Sequence, residues 1–104
     1  MASRSLSLVW SPTAQRDMAD IWGYLDLHAS REVADSQIRK INARALILIS
    51  NPRIGRPRDN FMPGLRQVLV NPYIVFYRFD ETTVEIIRVA HGRRDLPALF
   101  MEET

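Results

Sequence analysis

The side chains best suited to bind or act on another molecule are arginines, and most of them lie in the second half of the chain. Thirteen of the fourteen basic residues are Arg; eight Arg and four acidic residues lie in residues 53–94, for a net charge of +4. Because Arg binds carboxylates and phosphates through paired hydrogen bonds, this segment predicts contact with an acidic protein or with nucleic acid. The candidate partner-binding or target-binding residues are Arg56, Arg58, Arg66, Arg78, Arg88, His91, Arg93 and Arg94.

Several kinds of site are not expected from the composition. The chain has no Cys and only two His, His28 and His91, so we expect no metal site. Its four Gly are isolated, so no phosphate-cradling loop and no cofactor are expected. Asp17 and Asp20 share one side of a helix and are interpreted as solvated acids rather than as a catalytic dyad. Arginines with one histidine can still cleave RNA without a metal, since cations stabilise the developing charge and imidazole moves a proton.

Hydrophobic periodicity and turn residues divide the chain into seven elements of one domain, residues 1–104. Ser11-Pro12 and Ser30 are residue types that begin helices, whereas three Pro and two Gly predict an irregular loop over residues 51–64. The predicted elements are a strand (5–10), two helices (12–28, and from the Ser30 cap to Ser50), three strands (65–70, 73–79 and 83–91) and a short helix capped by Asp95.

The order β-α-α-β-β-β-α keeps helices and strands apart along the chain. It predicts an α+β fold in which a helix hairpin packs on one face of a small antiparallel sheet. No apolar run approaches the roughly 18 residues of a membrane span, and the N-terminus has no signal-peptide core. We therefore expect no membrane association and a cytoplasmic location.

The placement of the candidate residues leaves more than one interpretation open. Arg66, Arg78 and Arg88 interrupt apolar strands, so they form either a binding surface or an ordinary solvated face on the side away from the helices. A single His at a strand end, such as His91, either exchanges protons or hydrogen-bonds the backbone. Arg93 and Arg94 either pair with the neighbouring Asp95 or contact a target.

Six short motifs follow one another along almost the whole chain, over about residues 6–100. The Pro-x-x-Gly-Arg loop and the His-Gly-Arg-Arg-Asp end are the most specific of them. The motifs are Ser11-Pro12-x-Ala14; Asp20-Ile21-x-x-Tyr24; Asn51-Pro52-Arg53-Ile54-Gly55-Arg56; Gly64-Leu65-Arg66; Tyr73-Ile74-Val75-Phe76-Tyr77-Arg78; and Val84 through Asp95. Together they resemble the ParE/RelE superfamily of toxins from bacterial type II toxin–antitoxin modules.

The resemblance implies the RelE/ParE-like fold, a helix hairpin on a small antiparallel sheet, and one of two activities. The RelE branch cleaves messenger RNA in the ribosomal A site. The ParE branch poisons DNA gyrase and is not expected to have hydrolytic chemistry of its own. If this chain were a nuclease, its catalytic residues would be Arg94, His91 and Arg66.

Four residues depart from the RelE pattern. Where that pattern has lysines on the strand matching residues 65–70, this chain has Arg66 and Gln67, and where it has an Arg after the first aromatic of the next strand, this chain has Ile74. Where it has a Tyr six residues past the terminal Arg, this chain has Phe100, which has no hydroxyl to move a proton. These departures favour the ParE branch.

The resemblance also implies partners. A cognate antitoxin, ParD-like or of another class, is expected to neutralise the chain in a hetero-oligomer. DNA gyrase is the expected target, and the ribosome with its messenger RNA is the alternative. A third possibility is a non-toxic binding module.

Overall fold

The computed structural model describes residues 6–101, and these form five strands and three helices. The element order confirms the sequence prediction, apart from one additional short strand in the loop. The elements are β1 (Ser7–Trp10), α1 (Pro12–His28), α2 (Arg31–Ser50), β2 (Arg56–Pro57), β3 (Arg66–Val70), β4 (Tyr73–Phe79), β5 (Thr83–His91) and α3 (Leu96–Met101).

Serine side chains begin both long helices, as predicted. The Ser11 hydroxyl accepts a hydrogen bond from the Ala14 N–H at 3.0 Å, and the Ser30 hydroxyl accepts one from the Val33 N–H at 3.1 Å. Each bond satisfies a backbone donor that the first helical turn leaves without a partner. Pro12 occupies the first turn of α1, where its missing N–H costs nothing. The two helices are therefore separated by a two-residue connection and form the predicted hairpin.

The five strands form one sheet in the order β1-β5-β4-β3-β2. The β2–β3, β3–β4 and β4–β5 pairs are antiparallel, which confirms the predicted meander, and β1 adds to β5 in parallel. Parallel pairing needs a long connection between the two strands, and the helix hairpin and the meander, which lie between β1 and β5 in the chain, provide it. The predicted first strand began at residue 5, which lies outside the described residues.

Each face of the sheet has its own hydrophobic core. On one face, Tyr73, Val75 and Tyr77 of β4 pack with the buried side of the helix hairpin. On the opposite face, Ile74 and Phe76 pack with Leu99 and Phe100 of α3. These two faces are called the hairpin face and the α3 face. Because β4 is covered on both faces, side chains pointing to either face are buried, and this explains its continuous apolar sequence.

The loop after α2 contains one short strand, β2, that the sequence did not predict. Residues 51–64 were expected to lack regular structure, which is wrong at Arg56–Pro57, because this dipeptide pairs with Arg66 and Gln67 of β3. Proline is tolerated there because β2 is an edge strand. Among the described residues, no helix is long and apolar enough to cross a membrane.

Candidate functional site

Arg88 belongs to β5 and lies just beyond the last residue that pairs with β1, next to the start of α1. It is not part of a solvated surface. Its guanidinium donates two hydrogen bonds to the Asp17 carboxylate, at 2.9 Å and 3.1 Å, and both side chains are buried. The same carboxylate accepts the Val89 N–H of β5 at 2.9 Å. Arg88 also donates to the Leu99 carbonyl of α3 at 3.5 Å. One buried ion pair therefore connects α1, β5 and α3.

Arg66 lies on the hairpin face, directly opposite Tyr77 of β4. Its guanidinium donates to the carbonyls of Arg53 and Gly55, at 3.0 Å and 2.8 Å. The Tyr77 hydroxyl accepts the Gly55 N–H at 2.9 Å and donates to the Pro52 carbonyl at 2.7 Å. The loop after α2 is thus held by two side chains of the sheet.

This geometry explains the Pro-x-x-Gly-Arg motif in structural terms. Gly55 is buried against the Tyr77 ring, and a Cβ at this position would come within 2.6 Å of the ring carbon Cε1. Only glycine leaves room for the hydroxyl to reach both backbone groups. Burial raises the pKa of Tyr77, although the Gly55 N–H and the charges of Arg66 and Arg44 act in the opposite direction.

On the hairpin face the fixed loop also places a second arginine beside Arg66. The guanidinium carbon of Arg53 lies 5.4 Å from the centre of the Phe79 ring, and that of Arg66 lies 5.9 Å from the same centre. Both distances are within the range of cation–π contact. Phe79 is half-buried at the end of β4, so the three side chains form an accessible surface.

The α3 face carries Arg58 and Arg78. Arg58 donates to the Gln67 amide oxygen at 2.6 Å and lies 4.1 Å above the Phe61 ring. Arg78 is exposed, contacts the Met62 sulfur at 3.7 Å and pairs loosely with Glu85 at 3.5 Å. Arg56 is exposed on β2 at the neighbouring edge of the sheet.

His91, Arg93 and Arg94 lie at the opposite end of the sheet from Arg66. His91 ends β5 opposite Tyr73, and its Nδ1 accepts the Arg93 N–H at 3.1 Å. The His91 carbonyl accepts the Arg94 N–H at 3.0 Å, so the histidine shapes the turn that carries both arginines. Asp95 accepts the Ala98 N–H at 3.3 Å and caps α3, as predicted.

This end of the sheet borders a cleft of about 480 Å³ between α1 and the ends of β4 and β5. His91 meets the Tyr73 ring edge-on, with 5.5 Å between ring centres. Burial, and then the neighbouring Tyr24, raise the pKa of Tyr73. The cleft is mainly apolar with polar groups at its rim, and its lining includes Asp20, Ile21, Tyr24, Leu25, Tyr73, His91 and Arg94.

The expected single cationic face away from the helices is therefore wrong. Of the three strand arginines, Arg88 is buried with Asp17, Arg66 lies on the hairpin face, and Arg78 alone is exposed on the α3 face. The interpretation of Asp17 as a solvated acid is wrong for the same reason, although Asp20 is exposed. Arg66 pairs with Tyr77 and His91 with Tyr73, so the backbone positions of these two candidate catalytic residues lie about 13 Å apart along β4.

Sequence reasoning missed that the buried Tyr77 hydroxyl anchors the loop and that Arg53 lies beside Arg66 at the Phe79 ring. Arg53 was counted in the charge, but its position in a loop gave no sign that it meets Phe79. The only available signal was the Gly in the loop motif, since an isolated loop Gly indicates close approach by another group. Among residues 6–101, no group of three His, Cys, Asp or Glu is placed to hold a metal ion.

Comparison with known families assigns the chain to a class of small toxins from bacterial toxin–antitoxin modules. The family described as ParE toxin of type II toxin-antitoxin system, parDE, matches residues 8–96. The chain belongs to this ParE toxin family.

Two curated relatives agree with this assignment. Toxin ParE1 of Mycobacterium tuberculosis is 33% identical over 97 residues, which cover 92% of this chain and 96% of that protein. Toxin ParE3 of Caulobacter vibrioides is 37% identical over 73 residues, which cover 70% of this chain and 73% of that protein.

Solved structures share the fold. A chain of the chromosomal ParDE toxin–antitoxin system from P. aeruginosa has a TM-score of 0.74 at 22% identity, over 86% of this chain and 98% of that chain. A chain of the RelBE2 toxin–antitoxin complex from Mycobacterium tuberculosis has a TM-score of 0.65 at 23% identity, over 89% of this chain and 98% of that chain.

Proposed function

We propose that this toxin acts in the cytoplasm by binding and poisoning DNA gyrase, and that a cognate antitoxin neutralises it in a hetero-oligomer. Membership of the ParE family and the relatives named ParE1 and ParE3 support the toxin role. The structural neighbours come from toxin–antitoxin systems, which supports an antitoxin partner.

The observation that carries the choice of gyrase over RNA cleavage is the position of Phe100. This residue occupies the place where the RelE pattern has a tyrosine, and here it is a core residue, 5% exposed. Its ring stacks on Phe61 with 5.2 Å between centres and meets Phe76 edge-on at 4.9 Å. A buried hydrocarbon ring exchanges no proton, so this position contributes packing rather than acid–base chemistry.

The separation of Arg66 from His91 along the sheet supports the same choice. Arg66 binds two backbone carbonyls, and it lies about 13 Å along the sheet from His91. Concerted acid–base catalysis on one phosphodiester requires its groups within hydrogen-bond reach of the reacting atoms. A toxin that acts by binding needs no such convergence.

One observation favours the ribosome-dependent nuclease as a second candidate. The cleft beside α1 brings the His91 imidazole, the Tyr73 and Tyr24 rings and the Arg94 side chain to one surface. In that case, Arg94→Ala and His91→Ala would slow messenger RNA cleavage by about 10²-fold or more without loss of folding.

A paired assay separates the two candidates. Purified toxin is added to a gyrase supercoiling reaction and, separately, to a translation extract in which messenger RNA ends are mapped. The gyrase proposal predicts loss of supercoiling, its recovery on addition of antitoxin, and intact messenger RNA. Unchanged supercoiling at a large molar excess of toxin, together with cleaved messenger RNA, would establish the nuclease instead.

A further inference from the structure

The cleft between α1 and the ends of β4 and β5 combines an apolar lining with polar groups that the fold leaves without partners. Its volume of about 480 Å³ is within the range of small-molecule sites in proteins. Ile21, Tyr24 and Leu25 line it from α1, and Val89 lines it from β5. Such a lining can bury an apolar or aromatic body.

Tyr73 brings to this cleft a hydroxyl that has no partner within the fold. The residue is 6% exposed and lines the cleft, and its hydroxyl forms no hydrogen bond within residues 6–101. That oxygen keeps some contact with solvent, so it opens to the cleft. The Tyr77 hydroxyl, by contrast, bonds both Gly55 and Pro52. Because burial of an unpaired polar group costs free energy, a ligand that accepts from the Tyr73 hydroxyl would offset that cost.

Two further hydrogen-bond donors adjoin this hydroxyl. The His91 ring meets the Tyr73 ring at 5.5 Å between centres, and its Nδ1 accepts the Arg93 N–H at 3.1 Å. A neutral imidazole whose Nδ1 is an acceptor carries its proton on Nε2, which can donate to a ligand. Arg94 lies beside His91, because its N–H donates to the His91 carbonyl at 3.0 Å. Its exposed side chain also lines the cleft and has no ion pair within residues 6–101.

The charges at the cleft favour a ligand with one negative charge. Among the described residues of the lining, Arg94 supplies the positive charge, and the Asp17 carboxylate is already neutralised by Arg88. Asp20 adds an exposed negative charge. One guanidinium matches one carboxylate in charge and in geometry, whereas a phosphate monoester would bring a second negative charge near Asp20. A carboxylate is therefore the anion that suits these groups best.

We propose that this cleft is a binding site for a small monocarboxylate with an aromatic body. The carboxylate accepts hydrogen bonds from the Arg94 guanidinium, the His91 Nε2–H and the Tyr73 hydroxyl. The aromatic body packs on Ile21 and Leu25. Binding of such a ligand goes beyond the proposed function and does not depend on the target of the toxin.

The test titrates three naphthyl compounds that differ in charge into the full chain. They are 1-naphthylacetate, its neutral amide 1-naphthylacetamide, and 1-naphthyl phosphate. NMR spectra of the ¹⁵N-labelled chain follow the backbone amides of Tyr73, Val89 and Arg94. With the carboxylate, we expect saturable shifts at these amides and a Kd of about 1 mM or lower. The neutral amide is expected to bind about tenfold more weakly, because it forms no charge-assisted hydrogen bond.

Variants of the full chain separate binding from folding. Arg94→Gln is expected to weaken 1-naphthylacetate binding by about tenfold. Tyr73→Phe is expected to weaken it by about threefold to tenfold without lowering the free energy of unfolding, because the lost hydroxyl has no partner among the described residues. Arg93→Gln is the matched control, since it removes the same charge from the adjacent exposed residue, which does not line the cleft. It should change the affinity less than about twofold.

The other outcomes would each overturn the proposal. Absence of saturable shifts with 1-naphthylacetate at about 10 mM would refute the site. Equal affinity for the carboxylate and its amide, or an unchanged affinity in Arg94→Gln, would show that the cleft does not recognise a carboxylate. Tighter binding of 1-naphthyl phosphate would make phosphate the preferred ligand, as the nuclease candidate requires. Lower stability of Tyr73→Phe would show that the hydroxyl supports the fold. None of these results alters the supercoiling assay, which tests the proposed function separately.

Discussion

Arg88 and Asp17 lie 71 residues apart in the sequence and form a bidentate ion pair between β5 and α1. The side chain of Arg88 is 7% exposed and that of Asp17 is 10% exposed. Asp17 also accepts the Val89 N–H, which β1 cannot reach because that strand ends at Trp10. The carboxylate thus replaces a missing strand partner and neutralises a buried cation.

Removal of one member of this pair should be far more damaging than removal of a neighbouring acid. Asp17→Ala removes the carboxylate that pairs with the buried Arg88 guanidinium, so we expect the free energy of unfolding to fall by about 3–5 kcal/mol. Asp20→Ala, one turn later and exposed, should change it by less than about 0.5 kcal/mol. Urea unfolding measures both, and similar losses for the two variants would contradict this account of the pair.

Two glycine substitutions should have opposite effects. Gly55→Ala forces a methyl group against the Tyr77 ring, so we expect a loss of about 1–3 kcal/mol in the free energy of unfolding. Gly23→Ala adds a methyl group in open space within α1, so we expect a gain of about 0.5–1 kcal/mol. Thermal or urea unfolding of both variants checks this, and a neutral Gly55→Ala would show that the loop is not closely packed on Tyr77.

The helices, the strands and the cap residues followed from the sequence because they depend on local spacing. Ser11, Ser30 and Asp95 act within a few residues of themselves, and runs of β-branched and aromatic residues predict β4 and β5 without knowledge of their partners. The Arg88–Asp17 pair did not follow, because a polar residue in a strand or helix is expected on the solvated side. Only the end of β1 and the start of α1 bring these two residues together.

The candidate site was less predictable for a related reason. Arg66 was correctly singled out by type, but its face depends on the register that places it opposite Tyr77. A shift of one residue would have moved it to the α3 face. Arg53 meets Arg66 at the Phe79 ring because the Tyr77 hydroxyl holds the loop.

Alkaline pH should weaken the fold through its buried tyrosines. Burial raises the pKa of Tyr77 and Tyr73 above the ordinary value of 10.0, so the folded state holds these protons more tightly than the unfolded state. The stability they contribute is complete below about pH 10 and is lost as the pH rises through the raised pKa values. Tyr77→Phe should make this decline shallower. Unfolding between about pH 9 and about pH 11 tests it, and equal slopes for wild type and variant would argue against the raised pKa.

Phe100→Tyr tests the interpretation of that position as core. The new hydroxyl would enter the aromatic cluster of Phe61 and Phe76, so we expect a loss of about 1–3 kcal/mol in the free energy of unfolding. No messenger RNA cleavage should appear in a translation extract. A variant of unchanged stability that cleaves messenger RNA would show that the position faces an active site.

The most direct measurement of the central claim, that this chain is a toxin, is growth of a bacterial culture expressing it under an inducible promoter. Induction of the chain alone is expected to lower the number of colony-forming cells, and co-expression of the protein encoded beside it is expected to restore that number. Normal growth with the folded chain expressed alone would contradict the account and indicate a non-toxic binding module.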